Sequence, residues 1–152
     1  MILILALAIG VVAGLRAMTA PAAVAWAAQS GAIMLDGSWL AWFGYRFTPW
    51  ILTLLAVGEL ISDKLPTTPS RKIPVQFGTR IAMGALSGGA VAAPAGWVLA
   101  GVVAGMIGAI VGTLGGAAAR GALARHIGRD TPAAVIEDIV AIAGAALIVS
   151  AL

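Results

Sequence analysis

The stretch VLAGVVAGMIGAIVGTLGG, residues 98–116, decides the class of this protein. It carries no charged side chain, and its only hydroxyl is Thr113. A helix on the surface of a soluble protein keeps a polar face toward water. This one has apolar or small residues on every side. A lipid hydrocarbon core about 30 Å thick is crossed by about 20 such residues. The rest of the chain agrees. Its 152 residues are 61% hydrophobic and 10% charged, where soluble domains carry about 25% charged residues. The mean hydropathy is +1.05. The expectation is an all-α, polytopic integral membrane protein, with residues 1–152 forming a single transmembrane domain.

Working outward from residues 98–116, five transmembrane helices are expected. The first covers residues 2–28 and contains Gly14, Arg16, Thr19 and Pro21 near its middle. Proline removes a helix hydrogen bond and glycine loosens the backbone, so this helix is expected to be kinked or broken there. Residues 1–13 lack the basic start of a signal peptide and read as the beginning of this span. The second span covers residues 49–64. Residues 65–76 read LPTTPSRKIPVQ, whose three prolines forbid a continuous helix. The third span covers residues 77–93, and Pro94-Ala95-Gly96 turns the chain. The fourth covers residues 97–119 and continues toward His126. Gly128-Arg129-Asp130 breaks it. The fifth covers residues 132–152, with Asp130 or Thr131 as N-cap and Pro132 at the first helical position.

Charge placement sets the orientation. The net charge is +3. Lys64, Arg71, Lys72 and Arg80 flank one connection, and Arg120, Arg125 and Arg129 flank another. Two short basic loops are the pattern of membrane topology, not of a phosphate-binding surface, so nucleic acid is not an expected partner. The positive-inside rule places these loops in the cytoplasm. With five spans the N-terminus is then cytoplasmic, in a multi-pass protein of the cell inner membrane. Trp39, Trp42, Phe43, Tyr45, Phe47 and Trp50 form an aromatic belt at the opposite interface, with a short surface helix expected near residues 38–43.

Residues 97–119 hold Gly101, Gly105, Gly108, Gly112 and Gly115 on one helix face. Apolar helices in lipid are held together by close backbone approach through small residues. The stripe is expected to pack on Gly84, Gly88 and Gly89 of the third span or, alternatively, to form a homo-oligomer seam. Membrane lipids are the other expected partners.

The acidic residues carry the functional signal. Glu59 and Asp63 lie four apart on one helix face, and Glu137 and Asp138 sit inside the fifth span. Ionisable groups at membrane depth cost about 2.5–3.5 kcal/mol each, so they come with partners or line a pathway. With Arg16, Arg80 and Lys64 they can meet in the cytoplasmic half. Two readings follow. One is a polar site for a substrate or ion in a small transporter or channel-like protein, with proton coupling through Glu59 or Glu137. The other is a set of ion pairs that only fixes helix packing. A lipid-binding role for Lys64, Arg71 and Lys72 is a third.

Metal and enzyme chemistry are not expected. There is no cysteine and His126 is the only histidine, and the arginines can satisfy the carboxylates. No nucleophile with an adjacent base is visible, so the chain is not read as an enzyme, and no cofactor is implied.

Three motifs together carry a resemblance. Gly14-Leu15-Arg16-Ala17-Met18-Thr19-Ala20-Pro21 matches G-L-R-x-x-x-x-P. The run from Glu59 to Arg71, ELISDKLPTTPSR, matches E-L-x-x-D-K-L-P-x-x-P-S-R. Glu137-Asp138 lies in a final apolar helix. In these the chain resembles the bacterial membrane-protein family catalogued as domain of unknown function 4126, over roughly residues 14–149. The resemblance implies architecture and important positions, not a reaction. Those positions are Arg16, Glu59, Asp63, Lys64, Arg71, Glu137 and Asp138.

Overall fold

The computed structural model describes residues 1–63 and 73–152. These are all-helical: α1 (Ile2–Leu15), α2 (Thr19–Gln29), α3 (Thr48–Ser62), α4 (Pro74–Ala92), α5 (Val98–Ile127) and α6 (Asp130–Ser150), with short 3-10 turns at Ala41–Gly44 and Ala93–Ala95. α5 and α6 are long and apolar enough to cross a membrane. α1 and α3 are apolar but shorter, at 14 and 15 residues.

The first break falls where the sequence places it. α1 stops at Leu15, and Arg16 is extended, with φ −139° and ψ 110°. A continuous helix would drive the Pro21 ring against the carbonyl of residue 17. In the first turn of a new helix its missing N–H costs nothing.

The direction of the chain after the break differs from the single kinked span expected. α1 runs parallel to α5: Leu7 and Val11 lie against Gly108, Val11 against Gly112, and Gly14 against Ala109 and Thr113. α2 runs antiparallel to α3: Ala17 and Met18 meet Glu59, and Trp26 meets Thr53 and Trp50. α3 ends near the C-terminal part of α5, where Asp63 approaches Arg120. The chain therefore reverses at residues 16–18, and six helices alternate in direction. Met1 lies at the same end as the α4–α5 turn and Leu152, opposite to Arg120, Arg125 and Arg129. The expected placing of Met1 at the basic end is corrected accordingly. The reason is physical: an extended arginine followed by a proline-bearing first turn allows a reversal as readily as a kink.

Smaller boundaries also differ. α4 starts at Pro74, three residues before the expected 77, because proline is suited to the first helical position. α6 starts at Asp130 with Arg129 as its N-cap, so neither Asp130 nor Thr131 is the cap and Pro132 is the third helical residue. Gly96 (φ 75°) and Gly128 (φ 79°) hold the left-handed conformations that end the preceding segments.

The glycine stripe of α5 is used within the chain. It packs on α4 through Gly101 and Gly105, as expected, and also on α1 through Gly105, Gly108 and Gly112. A Cβ on Gly105 would collide with the carbonyl oxygen of Gly84, and one on Gly108 with that of Leu7. A Cβ on Gly115 would meet no other part of the described residues within 4 Å. The buried centre joins Ala6, Ile9, Val12 and Ala13 of α1 to Val24, Leu40, Phe43, Val91, Ala141 and Ala145. The expected surface helix is the 3-10 turn Ala41–Gly44, whose Phe43 is buried while Trp39, Tyr45, Phe47 and Trp50 remain exposed. The outer faces of α3, α5 and α6 expose Leu54, Ile61, Leu99, Val103, Val111, Ile139 and Leu147.

Candidate functional site

The break between α1 and α2 leaves carbonyls at the end of one helix and amides at the start of the next, in the interior of the bundle. Buried backbone groups of this kind need partners. Two side chains from other helices supply them. The Glu59 carboxylate, on α3, accepts hydrogen bonds from the N–H groups of Ala17 and Met18, each at 2.8 Å. The Arg80 guanidinium, on α4, donates through Nη1 to the carbonyls of Gly14 and Leu15 at 2.9 and 2.6 Å. The Thr113 hydroxyl lies 3.2 Å from the Gly14 carbonyl and 2.8 Å from that of Ala109. The anion thus sits at a helix start and the cation at a helix end, the favourable sense for both helix dipoles. Arg80 Nη2 and Glu59 Oε1 are 3.5 Å apart.

Arg16 stands at the reversal itself and is fully buried, at 0% exposure. Its Nη1 pairs with Asp63, the residue that caps the end of α3. Its Nη2 lies 2.5 Å from Asp138 Oδ1 and 3.9 Å from Glu137 Oε2, both on α6. Such burial is tolerable only because carboxylates from two helices surround the guanidinium. Its Nε has no hydrogen-bond partner among the described residues. Arg120 of α5 extends the network. It forms a two-pronged pair with Asp130 (3.0 and 2.6 Å) and lies 3.5 Å from Glu137 and 3.9 Å from Asp63.

Of the eight residues selected from the sequence, six converge: Arg16, Glu59, Asp63, Arg80, Glu137 and Asp138. Lys64 and Arg71 lie outside the described residues. The sequence marks Arg120 only as a topology charge and Asp130 only as a candidate helix cap, yet both belong to the cluster. A signal for Arg120 existed. Gly128-Arg129 turns α5 back into α6, and Arg120 and Glu137 are equidistant from that turn, so an antiparallel pair of helices sets them side by side. The backbone amides of Ala17 and Met18 carry no such signal.

The site is closed. Arg16 and Arg80 are 0% and 1% exposed, and Glu137 and Asp138 are also buried. A cavity of about 150 Å³ reaches Arg120 and Glu137, otherwise lined by apolar groups including Leu15, Leu123, Ile136 and Val140. That space exceeds what one water needs. Among the described residues no three acidic or histidine side chains are arranged to hold a metal ion. Arginines stand between the carboxylates instead.

The fold and site define a small all-helical protein with apolar helices suited to a membrane and an ion-pair network at a broken helix. No protein-family model matches the chain, and neither a curated protein nor a solved structure does.

Proposed function

We propose that this is a small multi-pass transporter or channel-like protein of the cell inner membrane, whose polar site is the cluster at the α1–α2 reversal. The positive-inside rule puts the basic end in the cytoplasm. Met1, the aromatic segment and Leu152 are then on the outside, and the cluster is in the cytoplasmic half. α1 and α2 are about 21 and 17 Å long, shorter than the hydrocarbon core, and form a hairpin that enters from the outside and stops at the cluster.

The observation that carries this reading is the broken helix. Non-helical backbone at membrane depth is tolerated where it is buried in protein or lines a cavity. In transporters, the ends of discontinuous helices form the substrate and ion sites. Here those ends are occupied by Glu59 and Arg80. Opening requires exchanging these tethered charges for substrate, ion or water. Glu137 is the group placed to exchange a proton, because it faces the small cavity beside Arg120.

A second reading, a structural protein whose ion pairs only lock the bundle, is favoured by the burial and mutual pairing of Arg16, Asp63 and Asp138. One experiment separates the two. Purified protein is reconstituted in liposomes, and proton and ion flux is measured with and without Glu137→Gln. Flux in the wild type that is lost in a stably folded variant supports transport. No flux for any tested ion, with a variant that melts much lower, supports the lock.

A further inference from the structure

The chain holds six acidic residues: Asp36, Glu59, Asp63, Asp130, Glu137 and Asp138. Asp36 lies in the aromatic segment, at the opposite end from the α5–α6 turn. The other five are engaged in the cluster by Arg16, Arg80, Arg120 and the amides of Ala17 and Met18. Asp130, the carboxylate beside the turn, is held by two nitrogens of Arg120. Arg125 and Arg129 flank that turn and are exposed. Neither pairs with a carboxylate of the described residues, and residues 64–72 contain no acid. The counter-charge of these two arginines therefore comes from outside the chain.

The depth of Arg125 selects that partner. Trp97, at the start of α5, is exposed, and such indoles mark the boundary of the hydrocarbon core. The Arg125 side chain runs back along α5, as long helical side chains do. Its Nη1 lies over Gly121, 3.7 Å from where a Cβ would stand. Gly121 follows Trp97 by 24 residues, about 36 Å of helix. The far headgroup layer lies about 30–37 Å from that boundary. The guanidinium is thus at the depth of lipid phosphates, which it can bind through paired N–H donors. Arg129 follows the Gly128 turn in extended backbone, with φ −144° and ψ 141°, at the same end. Topology asks only for positive charge on this side. It requires neither a guanidinium seated on a glycine nor the absence of every acidic partner.

We propose that Arg125 and Arg129 form a binding site for the phosphate of an anionic phospholipid of the cytoplasmic leaflet, with Gly121 as the seat of the Arg125 guanidinium. The inference rests on the membrane orientation proposed above, not on transport. Each basic residue near an anionic surface strengthens such binding about fivefold.

The test uses the full-length protein, purified in detergent and mixed with equal amounts of phosphatidylglycerol and phosphatidylcholine. Native mass spectrometry counts the lipids retained. The wild type is expected to favour phosphatidylglycerol at least tenfold. Arg125→Gln/Arg129→Gln should lower that ratio at least fivefold, and Arg46→Gln, at the opposite end, should leave it unchanged. Gly121→Leu keeps both charges and displaces the guanidinium from its seat, so it should lower the ratio at least threefold. An unchanged ratio in the double arginine variant overturns the proposal. An unchanged ratio in Gly121→Leu also overturns it, since charge alone would then explain the preference. Loss of phosphatidylglycerol to excess inorganic phosphate would show a site for the free anion and overturn the lipid assignment. Retention of both lipids without preference overturns this site only, whereas retention of neither overturns the membrane reading as well.

Discussion

Replacing Glu59 with glutamine removes one charge and almost no volume, so its effect reports on the hydrogen bonds and electrostatics of the carboxylate and not on packing. The carboxylate accepts two backbone N–H bonds at 2.8 Å. Bonds to a charged acceptor contribute about 1.5–3 kcal/mol each, and a neutral one about 1 kcal/mol. Glutamine can accept from one amide only. Its own N–H₂ then faces the other, leaving a buried donor unsatisfied at about 1–3 kcal/mol. The contact with Arg80 weakens as well. At the lower limits of these terms the net loss is about 3 kcal/mol, or about 6–12 °C in Tm for a chain of this size. Thermal unfolding followed by circular dichroism in detergent micelles measures it. Hydrogen exchange at Ala17 and Met18 locates it, since those amides should lose protection before the helix interiors. A Tm within about 1 °C of the wild type would refute the reasoning, because the helix start would not then depend on the carboxylate. Glu59 is consequently a poor probe of transport by itself, and Glu137 is the better one.

Other outcomes follow from the same contacts. Arg16→Met removes the buried cation that Asp63 and Asp138 share and should destabilise by about 3–5 kcal/mol, with part recovered in the double variant Arg16→Met/Asp138→Asn; a thermal double-mutant cycle reads this coupling. Gly105→Ala should destabilise strongly through collision with Gly84, whereas Gly115→Ala, with open space around it, should be neutral or stabilising by up to about 1 kcal/mol from helix propensity; comparing their melting temperatures checks both. Asp130 is 64% exposed at its side chain, so Asp130→Asn should cost less than about 1 kcal/mol, and the loss should shrink further in high salt.

The helical class was legible because residues 98–116 have no polar face, and the breaks were legible because Pro21, Pro74, Gly96 and Gly128 each forbid or favour one backbone conformation. Six of the cluster residues could be chosen for a single reason, the cost of a charge in apolar surroundings. Two things were not legible. The reversal at Arg16 depends on which helices α1 and α2 pack against, and a local break permits either continuation. The partners of Glu59 and Arg80 are backbone groups, which every residue possesses, so no side-chain pattern marks them. Arg120 was readable in principle from its symmetry with Glu137 about the α5–α6 turn, but its position beside a basic loop made topology the simpler reading.

The account turns on the chain reversing at residues 16–18, and one distance decides it. The protein contains no cysteine, so single labels can be placed without background. Spin labels at Ile4 and His126 should lie about 40 Å apart, the length of α5 from Leu99, which shares a groove with Ile4, to His126. A separation less than half of that would place Met1 at the basic end, restore a single kinked span, and contradict the site described above.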